Sequence, residues 1–581
     1  MAPADSRSSR QCKGTRITLG CAVEVNSTVC AEESPPELPN PPSLPIPAVR
    51  LSDRIRSEPV RKASIRLLVA LGAVWLVVRF FGLGTSPPGF FMDEATPAIN
   101  AMCLAETGRN IQGESWPLYS HAAGGGSHTL VLLAFDTVWL RIFGTSRASF
   151  RAVSGFFFLL TTLGLVLVAL DAVKLIPPLG DSKDDGTDHR TDKVTRSDFP
   201  KLALLAALVS PWAFHFSRVG WDPPVALAFM MWSIAAVLRS HRASRASFFW
   251  ALLAGACAAL SMIAYAPLRA VVPLVLLLEV VLLWSITPGW PDRWRLLRNM
   301  LFAGIAATVL LASTIGMLLD GKINERINNV AIWRPDWMNE HAISTPHWRF
   351  LVETFLDNML VHLKPSFLFF DGDAVLRQSP HIAGQLSPID ILALSVVAFV
   401  FVLAIARTIR GTSGNLQLHP PSSQTSRWML AMALAVGVCW LFALVPSALT
   451  FDGIPHAIRS LGAWPFIALF TGAILAMAWS RLPWLAPVLA LVVLLHTIHY
   501  LPAYFHAYDG AANHWFMRDM TDVIEKERRE QPGKTIPQIV SDHFAYSYYY
   551  DEVPWYYLMS EGHLGCREAG DKVHAWRKTA Q

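Results

Sequence analysis

Long apolar runs separated by polar segments dominate the chain. A helix needs about 20 apolar residues to cross roughly 30 Å of hydrocarbon. Runs that approach this length recur eleven times, at residues 65–83, 152–176, 202–216, 225–238, 248–265, 270–286, 300–319, 389–406, 428–449, 462–479 and 484–500. The pattern therefore predicts an all-α polytopic membrane protein with about eleven transmembrane helices.

Composition supports a membrane protein and argues against nucleic acid as a partner. Of 581 residues, 52% are hydrophobic and 16% charged, which is more apolar material than a soluble protein buries. The net charge of +5 is spread among loops rather than gathered on one basic face. The bilayer is thus the expected solvent for much of the chain.

Three regions follow from the distribution of these runs. Residues 1–60 are rich in Ser, Pro and charge and contain no apolar signal sequence, which predicts a disordered cytoplasmic tail. Residues 61–501 form the predicted transmembrane domain, with polar linkers at 181–198 and 410–427. Residues 502–581 form a small external region, in which the β-prone runs 536–541 and 546–550 suggest a small α/β fold.

The topology depends on residues 129–143, an apolar but short stretch that carries Asp136 and Arg141. If this stretch does not cross the membrane, the clusters of positive charge near residues 54–66, 239–245, 293–298, 407–427 and 481 all fall on the cytoplasmic side. We therefore expect an interfacial or re-entrant helix on the outer surface. The N-terminus is then cytoplasmic, and the C-terminus and two long loops, 84–151 and 320–387, are external.

The seven cysteines contain no C-x-x-C pair, and three of them lie in the N-terminal tail. We expect neither a zinc site nor a disulfide framework and treat them as structurally neutral. The external histidines also lack the spacing of metal ligands.

Two adjacent carboxylates, Asp93 and Glu94, open the first external loop. Partial desolvation near the membrane favours proton uptake by a carboxylate, as a general base requires. The alternative is that Asp93 only caps a helix, but Thr96 and Pro97 already offer a start for a helix that Gly108 would stop. Neighbouring side chains point in different directions, so we expect Asp93 to carry the chemistry and Glu94 to hold the loop.

The sequence around these carboxylates resembles a known family. The matching segments are residues 91–95, 100–101, 106–109, 143–144, 151–155, 210–218, 370–373, 384–386 and 459–461. In order and placement they resemble the glycosyltransferase family 39 group of GT-C fold, which includes protein O-mannosyltransferases and the lipid A aminoarabinose transferase. Residues 121–128 depart from the pattern, because many relatives carry a basic residue and prolines there.

The resemblance implies an inverting membrane glycosyltransferase in which Asp93 is the catalytic residue, and the adjacent Glu94 is the second member of the candidate catalytic pair. Its donor would be a sugar on a polyprenyl (dolichyl or undecaprenyl) phosphate, and its acceptor a lipid, glycan or protein on the outer face. In such enzymes the residue matching Asp93 acts as the base or orients the acceptor nucleophile.

A departing lipid phosphate needs fixed positive charge. Arg218, Arg269 and Arg459 each lie at the outer end of a predicted helix, which makes them candidate phosphate ligands. The alternative for each is ordinary snorkelling of an interfacial arginine. Asp222 is a candidate substrate-binding residue that could orient Arg218, or a plain helix-start residue.

Asp371 and Asp373 flank a glycine in the second long loop and could bind a divalent cation or a sugar hydroxyl. An acidic turn is the commoner explanation. No cofactor is indicated otherwise.

Two other function classes remain open from the sequence. A transporter or flippase for a lipid-linked sugar would place paired charges or broken helices near mid-membrane and show internal repeats, whereas the helix centres are almost free of charge and no repeat is evident. A non-catalytic scaffold of the same fold is the third interpretation.

Overall fold

The structure, a computed structural model, describes residues 58–122, 126–176, 186–242, 245–319, 325–341, 346–410, 424–479, 481–482, 484–543 and 566. Nearly all of the predicted N-terminal tail, much of the second linker and the β-prone run 546–550 lie outside the described residues.

Helices make up most of the described chain. They are α1 (Glu58–Val78), α2 (Met92–Thr107), α3 (Leu130–Phe143), α4 (Arg147–Leu175), α5 (Gly186–Leu208), α6 (Pro211–Phe216), α7 (Pro223–Arg242), α8 (Ser247–Ala264), α9 (Leu268–Ile286), α10 (Trp290–Leu319), α11 (Glu325–Val330), α12 (Pro335–His341), α13 (His347–Val361), α14 (Pro388–Arg410), α15 (Gln424–Ala448), α16 (Trp464–Trp479), α17 (Leu485–Ala503), α18 (Asp509–Ala511), α19 (Arg518–Glu530) and α20 (Ile536–His543). Two strands, β1 (Tyr119–Ala122) and β2 (Gly126–Thr129), pair as an antiparallel hairpin.

The membrane character of the bundle is confirmed. Among the described residues, eight helices are long and apolar enough to cross a bilayer, and each coincides with a predicted span. The other three predicted spans coincide with α1, with α5 and α6 together, and with α14. These helices do not meet the same standard of length and apolarity, so the number eleven stays a prediction.

Small residues let these helices approach closely, as is common between membrane helices. A side chain on Gly472 of α16 would meet the backbone nitrogen of Ala203 in α5 at 2.6 Å. One on Gly164 of α4 would meet Cβ of Met231 in α7 at 2.9 Å. The bundle core is therefore packed by backbone contact as well as by large side chains.

The stretch 129–143 forms a helix that is too short to span. Thr129 caps α3 by accepting from the Leu132 amide at 3.5 Å, and the helix has 14 residues, or about 21 Å at 1.5 Å per residue. This length fits the predicted interfacial position. The hairpin that precedes it was not predicted, because its strands of four residues each carry no run of β-branched residues.

The start of α2 differs from the prediction. The helix begins at Met92 rather than at Pro97, so Asp93 and Glu94 lie in its first turn. Acidic residues are favoured there by the helix dipole, and Pro97 is accommodated inside the helix. The predicted stop is confirmed, since Gly108 adopts a left-handed conformation with φ 71° and closes the helix on the Leu104 carbonyl.

The C-terminal region is helical where it is described, and the strand prediction for residues 536–541 is wrong. These residues form α20, which packs beside the strongly amphipathic α19. The last bundle helix continues past the predicted boundary at residue 502 through a π-helical turn, and Tyr504 and Tyr508 of this turn are buried in the core.

The cysteines are not all neutral. Cys103 of α2 and Cys566 form a disulfide with Cα atoms 5.4 Å apart. Residues separated by 463 positions are thereby joined, a link that local spacing could not reveal.

Candidate functional site

A cavity of about 710 Å³ opens at the end of the bundle where α2, the β-hairpin and the α8–α9 turn meet. This volume is within the range of small-molecule sites in proteins. Four of the predicted site residues line it: Asp93, Asp222, Arg269 and Arg459. The structure therefore brings together half of the eight residues that the sequence singled out.

Asp93 is half-buried on the first turn of α2 and faces the cavity. Arg377 lies on the same wall, with its guanidinium carbon 3.6 Å from the centre of the Phe91 ring. Burial lowers the pKa of Arg377, while the negative charges of Asp93 and Asp373 oppose that effect. Asp93 is thus held in a site where an ionised carboxylate has a cationic neighbour.

Glu94 points away from the cavity and is fully buried. Arg151 donates to it from Nε at 2.8 Å and from a terminal nitrogen at 2.7 Å, and the Gly220 amide donates at 2.8 Å. The same guanidinium also donates to the carbonyls of Leu83, Pro87 and Gly89. The expectation that Glu94 holds the loop agrees with this geometry, and a catalytic role for Glu94 does not.

Arg218 is absent from the cavity wall, so this geometry does not favour its predicted contact with a lipid phosphate. Its side chain is fully buried and donates to the carbonyls of Val78 and Arg79 at 2.9 Å and of Ser86 at 2.7 Å. The carbonyls at the C-terminal end of α1 lack helical partners. Arg218 satisfies them and fixes the path of the chain that leads to α2.

The other two arginines that the sequence singled out, Arg269 and Arg459, line the cavity. Arg269 donates from Nε to the Met262 carbonyl at 3.1 Å and is hydrogen-bonded to Tyr119 of the hairpin. Burial raises the pKa of the Tyr119 hydroxyl, and Arg269 opposes this shift. Arg459 donates to Thr450 Oγ1 at 2.9 Å and to the Asp452 carbonyl at 2.7 Å.

The sequence did not single out Arg377 or His128. Arg377 lies in the second external loop, four residues beyond Asp373. His128 lies at the end of the segment 121–128, where the chain departs from the family pattern, and that departure was the available signal. The three arginines that line the cavity are thus Arg269, Arg377 and Arg459, whereas the sequence predicted Arg218 in place of Arg377.

His128 faces Asp222 across 3.7 Å, between Nδ1 and Oδ2. Both ring nitrogens of His128 and Oδ1 of Asp222 are buried without a hydrogen-bond partner among the described residues. Behind them Asp136 of α3 is 1% exposed, and its pKa is raised well above the ordinary value, first by burial and then by the charge of Asp222. This wall offers hydrogen-bonding capacity that the protein itself leaves unused.

Asp371 and Asp373 do not form a joint binding site. Asp371 is exposed in a turn, whereas Asp373 is buried and accepts from the amides of Val375 at 2.9 Å and Ala457 at 2.7 Å. Burial raises the pKa of Asp373 to about 6 against the opposing effect of these amides. This geometry does not favour the prediction that both bind substrate, because Asp373 holds the backbone amides of two loops.

Within the described ranges, no cluster of His, Cys, Asp and Glu has the arrangement of a metal site.

No protein-family model matches the chain, and no curated protein matches it. Among solved structures, it is similar to ArnT from Cupriavidus metallidurans bound to undecaprenyl phosphate, with 14% identity and a TM-score of 0.38 over 87% of this chain and 77% of that one. It is also similar to the apo oligosaccharyltransferase from Archaeoglobus fulgidus, with 12% identity and a TM-score of 0.38 over 81% of this chain and 58% of that one.

A third similar structure is the archaeal oligosaccharyltransferase AglB from Archaeoglobus fulgidus in complex with an inhibitory peptide and a dolichol-phosphate. It is 13% identical with a TM-score of 0.36, over 88% of this chain and 64% of that one. These identities and TM-scores leave the activity of the chain to be inferred from the cavity itself.

Proposed function

We propose that the protein is a membrane glycosyltransferase that moves a sugar from a polyprenyl phosphate to an acceptor on the non-cytoplasmic face. The observation that supports this most is the cavity itself, in which the half-buried carboxylate of Asp93 faces a space also lined by Arg269, Arg377 and Arg459. A base and several fixed cations around one space suit the transfer of a glycosyl group away from a phosphate.

The proposed reaction is a single displacement with inversion at the anomeric carbon. The acceptor hydroxyl or amine attacks that carbon, and its proton passes to a carboxylate oxygen of Asp93. The bond from the anomeric carbon to the phosphate oxygen breaks, and the electron pair leaves with the lipid phosphate. Arginine guanidinium groups stabilise this charge as it develops.

The unused hydrogen-bonding groups of His128 and Asp222 fit a sugar. Both residues have buried atoms without a hydrogen-bond partner in the part of the chain that the structure describes, and sugar hydroxyls can both donate to and accept from such groups. Asp222 is thereby assigned to sugar binding rather than to the orientation of Arg218.

Replacing Asp93 with Asn tests the role of the base. The amide keeps the shape of the carboxylate but cannot take the proton, so turnover is expected to fall about a hundredfold or more. The measurement is transfer by the purified protein in lipid, with polyprenyl-phosphate sugars as donors and extracted envelope glycans or lipids as acceptors.

Asp371→Asn is the matched control, because it makes the same chemical change at an exposed residue away from the cavity. This variant is expected to keep full turnover and donor binding. Undiminished transfer by Asp93→Asn would refute the assignment of the base. Movement of labelled lipid-sugar across vesicles without any transfer would favour the transporter interpretation instead.

A further inference from the structure

A second cavity, of about 450 Å³, lies between α4, α7, α9, α15 and α16 and shares no residue with the first. The described residues of its wall are almost all apolar, and Glu279 is the one acidic residue among them. Leu282 on its wall is 40% exposed and Ser285 is also exposed, so the cavity opens toward the lipid-facing surface of the bundle.

Glu279 lies ten residues beyond Arg269 on the same helix, α9. At 1.5 Å per residue this separation is about 15 Å along the helix axis. The second cavity therefore lies deep in the bundle, away from the first cavity, which Arg269 lines. Glu279 has no part in the proposed transfer reaction.

The carboxyl group of Glu279 is unpaired within the described ranges. Both of its oxygens are buried, and neither has a hydrogen bond among the described residues. An unpaired carboxyl group in apolar surroundings is costly, and a leucine at this place would remove that cost. Ionisable residues inside membranes are usually functional for this reason.

We propose that this cavity binds a neutral membrane lipid with a free hydroxyl group. The hydroxyl hydrogen-bonds to the Glu279 carboxyl, and the acyl chains fill the apolar wall and leave through the opening beside Leu282. Arg427 at the edge of the cavity disfavours a cationic lipid, and Glu279 disfavours an anionic headgroup.

The test uses the full-length protein in nanodiscs with a photoactivatable diacylglycerol whose diazirine is in the acyl chain. Mass spectrometry is expected to find cross-links on the α9 and α15 residues of the cavity wall. Dioctanoylglycerol should compete, and the same diester with its hydroxyl acetylated should compete at least tenfold more weakly, because it has lost its hydrogen-bond donor.

Two variants separate binding from folding. Glu279→Gln keeps donor and acceptor groups and should retain most labelling. Glu279→Leu should lose labelling about tenfold or more while the thermal midpoint rises, since an unpaired polar group is replaced by an apolar one. Equal competition by the acetylated diester, unchanged labelling of Glu279→Leu, or a lower midpoint for that variant would each overturn the proposal.

Discussion

Arg377 and Arg218 differ in what their guanidinium groups can reach. Arg377 lines the cavity beside Asp93, and Arg218 is enclosed by backbone carbonyls at the end of α1. A charge-assisted hydrogen bond contributes about 1.5–3 kcal/mol. A carbonyl left unpaired in a buried place costs about 1–3 kcal/mol. We therefore expect substitution of Arg377 to weaken the use of the donor and substitution of Arg218 to lower the stability of the fold.

Arg377→Ala is expected to lower kcat/KM for the lipid donor about tenfold to a hundredfold with little change in the thermal midpoint. Arg218→Ala should lower the midpoint and the yield of folded protein, because three carbonyls lose their donor. Donor titrations and thermal unfolding of both variants make the comparison. A folded Arg218→Ala protein with selectively weakened donor binding would restore the phosphate role that the sequence suggested.

At the scale of elements, the packing of α19 and α20 on α2 depends on a close approach between the backbone at Gly89 and the backbone at residues 516–518. Met520, Ile524, Ile536 and Ile539 pack against the buried face of α2. Gly89, just before α2, has φ 66°, and a side chain there would collide with the carbonyl of Phe516 and approach the amide of Arg518 at 2.8 Å. Only glycine fits at this contact.

Gly89→Ala is expected to loosen α19 and α20, seen as faster hydrogen exchange of residues 518–530. Gly113→Ala is the matched control. It has a similar left-handed conformation with φ 86°, but a side chain there meets nothing within 4 Å. Alanine strains the backbone at both positions. If the two variants speed hydrogen exchange of residues 518–530 equally, the cause is this strain and not the lost contact with the C-terminal helices.

For the whole molecule, the disulfide between Cys103 and Cys566 constrains which segments share one side of the membrane. Cys103 lies in the first long loop and Cys566 in the C-terminal region, so the two segments lie on one side of the membrane. Disulfides form and persist mainly outside the cytosol. The opposite end carries an ion-pair cluster, in which Arg239 and Arg242 of α7 each contact Asp171 of α4 at 2.8 Å.

We expect this cluster to face the cytoplasm, in keeping with the positive charge there. Reporters fused after Phe143 and after Gln581 should be external, and one fused after Arg242 should be cytoplasmic. Peptide mapping without reductant should find the linked Cys103 and Cys566 peptides, and Cys566→Ser should abolish the link. A cytoplasmic reporter after Phe143 would contradict the predicted topology.

The sequence by itself determined the apolar helices of the bundle. Apolar length is a property of each segment alone, so the spans around α4, α7 and α9 could be predicted to within a few residues at their ends. The short length of residues 129–143 and the position of Asp93 after the first span were predictable for the same reason.

Only the tertiary structure decided which polar side chains share the cavity. Asp93 and Glu94 are neighbours in sequence, yet one faces the cavity and the other a buried arginine, because the rotation of α2 sets their directions. The place of Arg377 at the cavity and the helical form of residues 536–543 likewise depend on contacts between distant segments. Local patterns carry no information on such contacts, since intrinsic propensity is weak compared with packing.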